Sequence, residues 1–138
     1  MTRVLQWLHA GIVWLLMIAL VVQVFLAGLG AFGGGFGPHL SFAWLIALLI
    51  LLLAIASVIA SLAGALPWTR TGLTGVLVVL WIIQLFLAHT GVPAISALHA
   101  LNALVMLGVG GYLAGRARMM VAAGGVEALR TEQRSPIT

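Results

Sequence analysis

Four stretches of this chain, roughly residues 4 to 29, 39 to 63, 70 to 90 and 94 to 116, are apolar almost throughout. A helix needs about 20 such residues to cross a bilayer, where the backbone must satisfy every N–H and C=O within its own segment. Each stretch meets that length. The links between them are short: GAFGGGFGP, the residues from Gly64 to Thr71, and TGVP. None is long enough to hold a domain. The expected fold is therefore all-α, a transmembrane four-helix bundle over residues 1–116. Pro38 suits the first turn of the second helix, where its missing N–H costs nothing. Residues 117–138 read as a short polar tail with a turn or two of helix at most.

Composition points the same way. Of 138 residues, 64% are hydrophobic and 6% charged, whereas about a quarter of a soluble domain is charged. The first apolar run exceeds the roughly 7–15 residues of a signal-peptide core, so it is read as part of the fold. The net charge of +4 comes from six arginines and two glutamates. The arginines lie in short flanks rather than a patch, which argues against nucleic acid as a partner. With no cysteine, disulfides, thiolate catalysis, Cys-held iron–sulfur clusters and covalent c-type haem are excluded. Four crossings place Arg3, Arg70, Arg116 and Arg118 on one side, while the two loops on the other side carry no charge. The positive-inside rule then predicts a multi-pass membrane protein with both termini cytoplasmic.

Within this frame one phrase occurs twice. QVFLAGLG at residues 23–30 returns as QLFLAHTG at residues 84–91. Each copy closes an apolar run, and each is followed, after a Gly/Pro-containing loop, by a histidine that opens the next. Gln23 precedes His39 by 16 residues and Gln84 precedes His99 by 15. Both histidines have alanine one turn on, Ala43 and Ala103. The bundle thus reads as two tandem helix-loop-helix repeats, with His39 and His99 at equal depth.

The four spans contain no Asp or Glu, so carboxylate relays, paired-carboxylate catalysis and Ser-His-Asp chemistry have no parts here. What remains is imidazole, a few amides and hydroxyls, and methionine sulfur. At about 100° per residue, His39 shares a face with Ala43, Ile46, Ile50 and Ser57, and His99 with Asn102, Ala103, Met106 and Gly110. The small residues beside each imidazole leave room for a flat group or for close helix approach. Two neutral imidazoles at one depth can supply both axial bonds of a b-type haem, one per chain. Copper would need a further ligand, and only Met106 is near. The plain alternative is that both histidines cap helices or bond across the interface.

His89 takes the place of Gly28 in the first copy and lies about 140° around its helix from Gln84. Its candidate roles are a haem-propionate contact, replacement of His39 as a ligand, or none. His9 stands alone at the other end, where a bond to a backbone carbonyl or a water is the expectation. Gln23, Gln84 and Asn102 read as inter-helix hydrogen bonds, with a quinone-head contact as the sharper alternative.

QVFLAGLGAFG, the loop to His39, QLFLAHTG and the closing ALHALNAL resemble a family of small four-helix bacterial membrane proteins of actinobacterial type and unknown function. The resemblance covers residues 4–116. More distantly, the arrangement is similar to one half of haem A synthase. Four-helix units of that enzyme hold b-type haem between histidines on their second and fourth helices, and His39 and His99 occupy those places here. The enzyme's Glu-His-x-x-His-Arg motif is missing: Leu40 and Ser41 follow His39, with no preceding Glu and no Arg. Haem A synthesis is thus not expected.

The resemblance and the residues together point to a cytochrome-b-like electron-transfer protein rather than a stand-alone enzyme. His39 and His99 would hold the iron, with His89, Ala43, Ala103 and Asn102 around the cofactor. Quinol in the bilayer, a redox partner protein, a larger respiratory complex and a second copy of the chain are the candidate partners. The rival class is a cofactor-free accessory subunit of a membrane complex.

Overall fold

The structure, a computed structural model, describes the backbone of residues 1–134 and the side chains of residues 1–124. Four helices make up the described chain: α1 Thr2–Leu29, α2 Gly37–Leu62, α3 Trp68–Ala88 and α4 Pro93–Arg134. No strand occurs among the described residues. All four helices are long and apolar enough to span a membrane. Pro38 lies in the first turn of α2, as its chemistry requires.

α4 departs from the expected end near residue 116 and continues to Arg134. Ala, Met, Leu, Glu and Arg dominate residues 117–134, all good helix formers. The first residue that cannot continue a helix is Pro136. The expected polar tail is thus helical for most of its length, and its last residues, 135–138, lie outside the described part.

α1 packs against α2 and α4, and α3 packs against the same two helices. α2 and α4 therefore face each other across the diagonal of the bundle. Val13, Leu16 and Leu20 of α1 meet Ile46, Ile50 and Leu53 of α2, Leu77 of α3, and Met106 and Leu113 of α4 in one buried cluster. Outward faces are equally apolar. Ile18, Val21 and Phe25 of α1, Trp44 and Leu51 of α2, and Leu101 and Leu104 of α4 are all exposed. A soluble monomer rarely presents contiguous apolar surface of that extent, whereas lipid covers it at no cost.

Two polar layers interrupt the apolar core. The first lies at the arginine-bearing end. Buried Ser57 bonds Thr74 at 3.1 Å and Ser61 bonds Thr71 at 2.7 Å, joining α2 to α3. Arg70 donates to the Arg116 carbonyl at 3.3 Å, which ties the α2–α3 turn to α4. Gln6 donates to the Ala65 carbonyl at 3.0 Å, which fixes the start of α1 beside the same turn. The second layer lies at the opposite end, where the α1–α2 and α3–α4 loops turn.

The α1–α2 loop owes its shape to glycine. After a wide helical turn over Gly30–Gly34, the chain leaves the helix at Gly33 with φ +98°. Gly35 follows at φ +76°, a region that side chains with a Cβ rarely enter. These two residues reverse the chain and set Phe36 at the N-cap of α2.

Candidate functional site

The site is built from the ends of two hairpins. His39 lies in the first turn of α2 and His99 in the second turn of α4. Because α2 and α4 are diagonal partners, their side chains meet across the bundle. The imidazole centroids stand 6.1 Å apart with ring planes at 65°. Both rings are half-buried.

The same backbone contact holds each ring. His39 Nδ1 lies 3.2 Å from the carbonyl of Gln23, and His99 Nδ1 lies 3.1 Å from the carbonyl of Gln84. A carbonyl only accepts, so each neutral ring carries its proton on Nδ1 and its lone pair on Nε2. Metal-binding imidazoles are set up in this way, since the bond at one nitrogen fixes the tautomer and orientation of the other.

The glutamine side chains differ between the hairpins. Gln23 donates to the His39 carbonyl at 3.0 Å, and its amide nitrogen lies 3.4 Å from His39 Nε2. Its Oε1 is buried without a protein partner. Gln84 Oε1 instead accepts from Asn102 Nδ2 at 2.6 Å. Asn102 Nδ2 also donates to the Leu80 carbonyl at 2.9 Å, so its amide nitrogen is committed to α3 and tightens the α3–α4 pair. Asn102→Leu, which keeps the γ-branched shape and loses both bonds, is expected to cost about 1 kcal/mol of stability. Thermal unfolding in detergent measures it.

Ala43 and Ala103 follow the histidines by one turn and are half-buried. His89 caps α3, where its Nδ1 lies 2.7 Å from the Leu85 carbonyl and its ring is exposed. His9 is at the far end of the bundle, fully buried, and among the described residues no group bonds either ring nitrogen. The backbone carbonyl expected as its partner is not there.

Phe36 is the residue that sequence reasoning missed. Its ring meets His39 edge-on, with centroids 6.2 Å apart. A Cβ on Gly30 would fall within 2.6–2.9 Å of the Phe36 ring, so this glycine is what lets the ring lie there. The only sequence signal was the three-residue spacing of Phe36 and His39, which places both at the start of α2. Gly30→Val is expected to push Phe36 away from His39 and to cost about 1–3 kcal/mol. Thermal unfolding gives the cost, and NMR of ring-labelled histidine reports the lost ring contact.

The donor set bears on which group could be held. Among the described residues, no three His, Cys, Asp or Glu side chains converge on one metal position. Two imidazoles alone make a poor site for a bare zinc or copper ion, which needs further protein ligands. They suit an iron whose other ligands come from a macrocycle. A centroid separation of 6.1 Å agrees with a metal–nitrogen bond of about 2 Å to each ring. Exposed Leu40, Phe86, Leu98 and Leu101 lie near this end of the bundle and add apolar surface. The residues present fit a b-type haem, on the condition that the Gln23 amide yields its position beside His39 Nε2. Comparison with family models, curated proteins and solved structures finds no match for this chain.

Proposed function

We propose that the protein is a membrane cytochrome of b type that binds one haem between His39 and His99 and passes single electrons. One observation carries this reading: two imidazoles on diagonal helices stand 6.1 Å apart, each with its Nδ1 set against a glutamine carbonyl. When bound, the haem supplies one-electron iron chemistry. The chain's own residues do the rest. The Gln23 and Gln84 carbonyls hold the Nδ1 protons, so both Nε2 atoms carry lone pairs; that of His99 is open to iron, and that of His39 becomes so when the Gln23 amide moves aside. Ala43 and Ala103 leave space one turn below the rings, and Phe36 covers the edge of His39.

The matching bonds in the two hairpins support reading the bundle as one helix-loop-helix unit used twice. Arg3, Arg70, Arg116 and Arg118 at one end support an orientation with both termini inside, and the likeness to small bacterial membrane proteins points to the bacterial inner membrane. The histidine pair then sits near the outer face. A single haem there exchanges electrons with quinol, an outer-face redox protein or a neighbouring subunit.

The rival reading, a cofactor-free accessory subunit, draws on the Gln23 amide near His39 Nε2 and on the direct ring contact. Protein purified from haem-replete cells separates the two. A Soret band with sharp reduced-minus-oxidised α and β bands is the expected result. Colourless protein that takes up no added haemin overturns the proposal and leaves the accessory subunit.

A further inference from the structure

At the arginine-bearing end, α1 and α4 part to form a surface groove of about 380 Å³. Trp7, Ala10, Gly11 and Trp14 line it from α1, and Arg118, Val121 and Ala122 line it from α4. Its floor is apolar, and Arg118 is the charged lining residue among the described residues. Gly11 is exposed, and nothing lies within 4 Å of where its Cβ would be, so the floor there is open. α1 has 28 residues and so extends about 42 Å, against a hydrocarbon core of about 30 Å. Its first turns therefore reach the headgroup region, the depth at which exposed tryptophans such as Trp7 anchor.

Depth and charge choose the occupant. An acyl chain fits a narrow apolar channel between two indoles. A guanidinium beside it pairs bidentately with a phosphate. Basic pockets between membrane helices recognise anionic headgroups by these means.

We propose that this groove binds one anionic phospholipid, its acyl chain over Gly11 between Trp7 and Trp14 and its phosphate on Arg118. The site is independent of the histidine pair. The test titrates detergent-purified protein with dioleoyl phosphatidylglycerol or dioleoyl phosphatidylcholine and counts bound lipid by native mass spectrometry. The expected result is one retained phosphatidylglycerol, with phosphatidylcholine held about fivefold more weakly. Arg118→Gln removes that preference. Gly11→Leu fills the floor, where there is room for a side chain without disturbing the bundle, and weakens retention of both lipids. Equal retention of the two lipids by the parent protein overturns the proposal, as does an unchanged preference in Arg118→Gln. Displacement of the lipid by inorganic phosphate overturns it too, because the arginine would then be a site for free anions. A dimer that both substitutions disrupt would assign the groove to a second copy.

Discussion

Alanine at His39 or at His99 is expected to abolish the Soret band, each substitution being sufficient alone. In the proposed ligation each removes one of two axial nitrogens, and the two remaining histidines are poorly placed to replace it. His9 lies at the opposite end of the bundle, and His89 turns outward with its Nδ1 on Leu85. His89→Ala is accordingly expected to leave the spectrum intact. His39→Met keeps an axial donor and should retain pigment at a higher reduction potential, because thioether ligation raises the potential of haem iron. Far-UV circular dichroism and gel filtration of each variant separate loss of haem from loss of fold. Pigment that survives both alanine substitutions would place the cofactor elsewhere. A spectrum lost only in the His89 variant would make that residue a ligand.

His9→Leu is expected to stabilise the protein by about 1–3 kcal/mol, the cost of burying a polar group without a partner. His9 is fully buried, and neither ring nitrogen meets a protein group. Leucine is close to imidazole in volume and returns nothing unpaired to the core. Unfolding in detergent, followed by intrinsic fluorescence against temperature or a denaturing detergent, reads the change. The sign decides the residue's role. A gain marks His9 as a tolerated defect in the core. A loss of similar size means that something besides the protein satisfies the ring, and the inner polar layer of Ser57, Thr74 and Arg70 would then be a second functional site.

The elements of the fold were legible because they rest on local chemistry. Apolar length set the helices, and glycine and proline set the turns between them. The expected spans agree with the observed helices to within about two residues at every boundary except the end of α4. That end was misjudged from polarity. A helix tolerates a polar face, and residues 117–134 contain nothing that forbids continuation before Pro136. Asn102 shares a helix face with His99, which the sequence shows. A face, however, is a direction and not a partner. Asn102 bonds Leu80 and Gln84 because α3 packs directly alongside.

The site shows the same division. The twofold Gln-to-His spacing could be seen in the letters, and it singled out His39 and His99 among four histidines. The backbone carbonyls that hold their Nδ1 atoms could not, because every residue has a carbonyl and only folding shows which ones face a ring. Phe36 was equally hidden, since its contact with His39 depends on Gly30 admitting the ring.

By itself, then, the amino-acid order determined a four-helix membrane-type chain, its turns, the end that carries the arginines and the absence of any acid from the spans. These are properties of composition and of neighbours in sequence. Tertiary structure alone decided that α2 and α4 are diagonal, that two imidazoles 60 residues apart in sequence come within 6.1 Å, and that no described side chain or carbonyl meets the buried His9 ring. The physical reason is range. Helix formation and membrane partition are summed over adjacent residues, whereas a site forms where packed helices happen to point their side chains at one another.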